Sequence, residues 1–220
     1  MKRRYFSAGL LSLLPFIGSI ATAGSYDDFF IALRQDNDLA VANLLERGFD
    51  PNTIDPAGQS GLFLALKIRS VRSALVLAKA PATVIDARNA QDESPLMLAA
   101  LRGYVDICRL LIEREADVNK PGWTPLHYAA TGGHAAVVRL LLDEHAYIDA
   151  ESPNGSTPLM MAAMYGTLEV VQLLVLAGAD VTLKNELGLS ALDFATRAGK
   201  PDTVAYLETF LRQARTGGTW

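Results

Sequence analysis

Apolar residues recur along this chain in paired helical blocks separated by short polar stretches. In the block that starts at Thr157, Thr157-Pro158 opens a short helix, with threonine suited to the cap and proline to the first helical position, where its missing N–H costs nothing. Leu159, Ala162 and Ala163 give that helix one small apolar face. Gly166 breaks it, and Leu168, Val171, Leu174 and Val175 fall on the i, i+3, i+6, i+7 face of a second helix. Gly178 stops the second helix, and turn chemistry follows around Asn185 and Gly188.

The block is one of six. Asp27, Ser60, Ser94, Thr124, Thr157 and Ser190 are equivalent starts, with spacings of 33, 34, 30, 33 and 33 residues. Five positions after each start stands an alanine: Ala32, Ala65, Ala99, Ala129, Ala162 and Ala195. Seventeen positions after it stands a leucine: Leu44, Leu77, Leu111, Leu141, Leu174 and Leu207. The third residue of each unit is apolar throughout, as Phe29, Leu62, Leu96, Leu126, Leu159 and Leu192. Two helices this short cannot bury both faces alone, so the period predicts units stacked on one another around a continuous core.

TPLHYAATGGHAAVVRLLLDEHAYIDA from Thr124, TPLMMAAMYGTLEVVQLLVLAGADVTL from Thr157 and SPLMLAALRGYVDICRLLIEREADVN from Ser94 resemble ankyrin repeats, as do the weaker flanking units. The resemblance covers about residues 24–213. It implies an all-α solenoid of about six helix-turn-helix units, slightly curved and right-handed, with β-hairpin-like loops projecting along one side. It also implies protein recognition along the concave face formed by the first helices and the loop tips. The expected units are 27–59, 60–93, 94–123, 124–156, 157–189 and 190–213, with 214–220 a disordered tail.

Departures from the family pattern mark particular places. The third unit is three residues short, with Asn119-Lys120-Pro121-Gly122-Trp123 replacing a longer loop. The second unit has Pro81 where glycine usually ends the second helix, and Arg69 in the helix-breaking glycine column. Only the fourth has the family's Thr-x-x-His pair, Thr124 with His127; Met97, Met160 or Asp193 stands there in others. The first and sixth units lack the proline and read as caps, with polar Asp27, Asp28, Asp36 and Asn37 at one end and Lys200, Asp202, Glu208 and Arg212 at the other.

Composition adds exclusions. Half of the 220 residues are hydrophobic and 20% are charged, as in ordinary globular proteins. A net charge of -4 with no basic run argues against nucleic acid as a partner. The lone Cys108 excludes an intrachain disulfide or a zinc cluster of cysteines. Lys2, Arg3 and Arg4 precede the apolar AGLLSLLPFIGSI and then Ala21-Thr22-Ala23, the layout of a secretory signal peptide over 1–23 with a cut before Gly24. An uncleaved anchor is the alternative, since the uncharged span is long enough to cross a bilayer. Arg3-Arg4-Tyr5-Phe6 also resembles the opening of a twin-arginine signal, a minor option beside the general secretory route. Removal of the signal leaves 17 basic and 24 acidic residues and a charge of -7, which predicts a soluble chain poorly attracted to anionic lipid; the signal itself points to a periplasmic location, and a monomer with no membrane partner is expected.

Little in the chain points to catalysis. No G-x-S-x-G, Walker A, G-x-G-x-x-G or H-E-x-x-H pattern is present, and no cofactor is expected. His127, His134 and His145 fall in one unit, and Met97, Met160, Met161 and Met164 could suit copper, but turn hydrogen bonding and packing explain these residues better. Cys108 reads as a small buried hydrophobe. The positions that packing leaves free are the pairs before each helix-breaking glycine and the loop tips, which by the resemblance face the concave side. Of these, Arg102, Trp123, Met164, Tyr165, Leu187 and Arg197 are the candidate partner-binding residues, being of types enriched at interface anchors or apolar at a loop tip. Trp123 is equally suited to packing on its own loop. The expected function is a non-enzymatic, exported protein-binding module, a scaffold or helper of an envelope protein. An immunity-type inhibitor of a periplasm-acting toxin and a Met/His metal-handling protein are the alternatives.

Overall fold

The computed structural model describes residues 21–216, with side chains from Gly24 to Gln213. The apolar segment of the expected signal peptide and the last four residues of the expected tail therefore lie outside the described residues. Twelve helices form six pairs along the described chain. The first helices are α1 (Ala21–Arg34), α3 (Gly61–Lys67), α5 (Pro95–Arg102), α7 (Pro125–Gly132), α9 (Pro158–Met164) and α11 (Ala191–Arg197). The second helices are α2 (Asp38–Glu46), α4 (Val71–Lys79), α6 (Val105–Glu113), α8 (Ala135–Asp143), α10 (Leu168–Leu176) and α12 (Pro201–Thr216). Each first helix packs on the first helices of its neighbours and each second helix on the second helices, giving an all-α repeat solenoid.

The repeated columns are the core. All six column alanines and all six column leucines are buried. Phe29, Leu62, Leu96, Leu126 and Leu159 are fully enclosed, whereas Leu192, in the last described unit, is half-buried. Ser60, Ser94, Thr124, Thr157 and Ser190 cap α3, α5, α7, α9 and α11, each side chain accepting the backbone N–H three residues on. The residue at that third position returns the favour in four units. His127 Nδ1, Met97 Sδ, Met160 Sδ and Asp193 Oδ2 each accept the backbone N–H of the capping residue, at 3.2, 3.3, 3.4 and 2.7 Å. One column thus performs one capping task with an imidazole, two thioethers and a carboxylate.

Five of the six turns between paired helices use a left-handed residue, Asp36, Arg69, Gly103, Gly133 and Gly199, with φ of 49°, 66°, 73°, 72° and 65°. Gly166 in the same column is held for another reason. A methyl there would overlap the Ala130 carbonyl oxygen and press on the backbone of Ala162, so α9 and α7 could not approach as they do.

The fingers between units close by side-chain chemistry. Asp55, Asn89 and Asn185 each accept at Oδ1 the N–H groups two and four residues on, and each donates its own N–H to the carbonyl four residues on. Successive fingers are tied through Asn52, Asp86, Asn119 and Asp149, which bond to backbone groups of the next finger. The Pro81 departure is answered by Arg114, whose guanidinium donates to the carbonyls of Ala78, Ala80, Pro81 and Thr83 at 2.7 to 3.1 Å. The shortened third finger folds around Lys120, which is 5% exposed. Its ammonium donates to the carbonyls of Pro121 and Trp123 and pairs with Asp92 of the preceding finger.

Candidate functional site

Across units three to five, the first helices and the third finger enclose an open cleft of about 260 Å³ lined by Leu101, Trp123, Tyr128, Thr131, Met161 and Tyr165. Helical spacing explains the set. Leu101 and Thr131 occupy equivalent positions on α5 and α7, while Tyr128 and Met161 lie one turn earlier on α7 and α9. Trp123 enters from the finger because the loop is short and turns directly into the cap of α7.

Two polar groups of this cleft, the hydroxyls of Tyr128 and Thr131, are already bonded within the chain. Tyr128 donates its hydroxyl to Glu93 Oε1 at 2.7 Å, and Glu93 Oε2 accepts from Asn89 Nδ2. Burial first, and the Glu93 carboxylate next, push the Tyr128 phenol above its ordinary pKa, so it stays a donor. Thr131 Oγ1 donates to the His127 carbonyl of its own helix. What remains toward solvent is mostly hydrocarbon and aromatic surface, including Tyr165 at 61% exposure. Such a surface can desolvate an apolar side chain while offering few competing hydrogen bonds.

Trp123 serves both purposes considered for it. Its ring is half-buried and meets the buried His127 ring edge-on, with centroids 5.2 Å apart, while its other surface lines the cleft. Tyr165 joins it there. Arg102 and Met164 are half-buried and lie on the first-helix side without lining the cleft. Leu187 stands 76% exposed at a finger tip, and Arg197 is exposed at the end of α11, so neither is brought into the cleft. Tyr128 and Met161 are cleft residues that the pairs before each glycine do not include; their position three or four residues earlier on the same helical face is the signal that finds them.

The histidines and methionines are engaged elsewhere. His127 Nδ1 takes the Thr124 N–H, which fixes Nε2 as the protonated nitrogen, and Nε2 donates to the Ser156 carbonyl at 2.9 Å. Burial lowers its pKa to about 4. His134 Nε2 lies 3.0 Å from the Leu101 carbonyl, and His145 sits in a left-handed turn after α8. Among the described residues no group of three His, Cys, Asp or Glu side chains converges as a metal site would require. Cys108 is buried, and burial pushes its thiol up to about 12.

The family profile described as ankyrin repeats in three copies matches this chain over residues 29–121, 74–152, 117–185 and 145–209. The chain belongs to the ankyrin-repeat family. Among curated proteins, it is similar to the neurogenic locus notch homolog protein 4 of Homo sapiens, 36% identical over 87 residues, covering 40% of this chain and 4% of that protein. It is also similar to the ankyrin repeat and SAM domain-containing protein 6 of Danio rerio, 34% identical over 70 residues, covering 32% of this chain and 10% of that protein. The matched stretches thus span a tenth or less of these relatives. Ankyrin repeats are protein–protein interaction modules, generally without catalytic activity, and imply a protein partner for this chain. No helix among the described residues is long and apolar enough to cross a membrane.

Proposed function

We propose that this ankyrin-repeat protein is exported to the periplasm and there binds a protein through the first-helix face, with the cleft between Trp123 and Tyr165 as its anchor point. The observation that carries the reading is the cleft itself, where aromatic and methionine side chains from three units meet and the hydroxyls of Tyr128 and Thr131 are already bonded within the chain. Residues of these types dominate binding energy where they can be desolvated by a partner. The periplasmic part rests on the basic start, apolar stretch and Ala21-Thr22-Ala23 of the sequence. A cut before Gly24 would fall in the first turn of α1, ahead of the buried Phe29, Phe30 and Leu33. Within that compartment the protein acts as a scaffold or helper of an envelope protein.

A photoreactive amino acid placed at position 165, with position 172 on the outer side of α10 as control, tests the surface. Adduct formation with a protein at 165 and none at 172 is the expected result; equal labelling at both contradicts it. Intact mass of the periplasmic protein should correspond to a chain beginning at Gly24, and retention of Met1 in the membrane fraction contradicts export by cleavage.

A further inference from the structure

The cleft has unpaired cations on its N-terminal side. Arg34, Lys67 and Arg102 lie in the last turns of α1, α3 and α5, with Arg69 just beyond α3. None of these four makes an ion pair among the described residues, and Arg102 Nε is buried without a hydrogen-bond partner. By contrast, Arg72 pairs with Asp36 and Asp38, Arg88 with Asp92 and Asp117, Lys120 with Asp92 and Arg139 with Glu169. The helices α3, α5, α7 and α9 contain no carboxylate at all. A chain that is acidic overall therefore presents an uncompensated positive strip beside its apolar cleft.

Helix dipoles favour a cation at any C-terminal turn. They do not account for this distribution, because α7 and α9 have no basic residue in their last turns. On the first helices the cations run over α1, α3 and α5, are absent from α7 and α9, and recur as Arg197 of α11, while the aromatics Trp123, Tyr128 and Tyr165 lie between. From this we infer that the partner presents an extended acidic segment, its carboxylates meeting Arg34, Lys67 and Arg102 in succession and a following apolar side chain entering between Trp123 and Tyr165. The inference rests on the docking surface proposed above and adds the chemistry of its occupant. Packed helices are spaced by ~8–10 Å, and an extended polyproline-type chain advances ~9 Å in three residues, returning its side chains to one face. Acidic residues at every third position therefore match the step between units. Arg102 can take such a carboxylate through a two-point contact, which a lysine cannot.

Fluorescence anisotropy with labelled synthetic peptides tests this on the full chain. One peptide carries glutamate at every third position followed by a leucine; a second has glutamine for each glutamate; a third has lysine; a single-stranded oligonucleotide is the nucleic-acid probe. The glutamate peptide should bind at least about tenfold tighter than the glutamine peptide, and the difference should shrink as salt is raised. Lys67→Glu with Arg102→Gln, chosen to keep the half-buried stem of Arg102, should abolish that preference with the circular dichroism unchanged. Lys67→Glu alone, at an exposed site, should reduce it. Trp123→Ala should weaken the glutamate and glutamine peptides alike. Equal binding of these two peptides, both lost in Trp123→Ala, overturns the acidic partner and leaves the docking surface standing. Preference for the lysine peptide also overturns it. An oligonucleotide bound as tightly as the glutamate peptide, and weakened by the same substitutions, overturns it in favour of nucleic acid. Absence of binding, or binding indifferent to both Trp123→Ala and Tyr165→Ala, overturns both readings.

Discussion

Tyr128 and Glu93 share a 2.7 Å hydrogen bond that joins the first helix of the fourth unit to the finger ending the second, with the whole third unit between them in the chain. Glu93 is fixed in turn by Asn89, which organises the tip of that finger. One wall of the cleft is thereby held in place by groups outside it. Tyr128→Phe should lower stability by about 1 to 2 kcal/mol, the range for a bond to a charged acceptor discounted for partial exposure. A double-mutant cycle with Glu93→Gln should show coupling of similar size; additive losses would mean the two groups do not act together.

His127 makes stability depend on pH. Its pKa is near 6.5 when unfolded and about 4 when folded, so between these values the unfolded chain binds the extra proton. The contribution of the neutral imidazole is complete above the unfolded value and is lost as pH falls toward the folded one. Between about pH 7 and pH 5 the loss should be on the order of 2 kcal/mol. His127→Met, which copies the capping methionines of the neighbouring units, should remove that part of the pH dependence in urea denaturation. An unchanged pH profile in the variant would show that His127 is not its source.

Arg114 substitutes for a missing glycine cap. With Pro81 preventing the usual end to α4, its four carbonyl contacts satisfy groups that would otherwise face a partly buried environment. Arg114→Ala should cost about 3 kcal/mol, and Arg114→Lys should recover only part of it, since a single ammonium lacks the planar fork. Hydrogen exchange should locate the damage in α4 and the second finger rather than along the whole stack.

Packing between units depends on the close approach at Gly166. Gly166→Ala should destabilise by more than about 1 kcal/mol although its φ is not left-handed, because the added methyl meets Ala130 and Ala162. Leu174→Ala, in the enclosed leucine column, should cost about 2 to 5 kcal/mol. Values below about 0.5 kcal/mol, typical of surface positions, would contradict the register of the repeat.

The alanine and leucine columns made the stack legible because burial between identical units imposes the same residue every time. Capping was equally legible in Thr157-Pro158, a local signal that needs no partner. The cleft was legible only in part. Trp123 and Tyr165 stand out by type and position, but Tyr128 and Met161 share their column with the nearly buried Leu98 and read as packing. Their role emerges from which finger lies opposite, and the three-residue shortening decides that. Arg114 and Lys120 escaped for the same reason. Each bonds to backbone carbonyls, and carbonyls leave no mark on the sequence of the segment that presents them.

Binding measured with the captured partner and the Tyr165→Ala chain tests the central claim most directly. Tyr165 is exposed and ends α9 through its backbone N–H alone, so loss of its side chain should leave the thermal transition in place while weakening binding by about 2 kcal/mol or more, the range of an interface anchor. Arg139→Ala and Gln172→Ala, on the opposite side of the helix pairs, should leave binding unchanged. Full binding by Tyr165→Ala, or equal loss from the control pair, would contradict the assignment of recognition to the first-helix face.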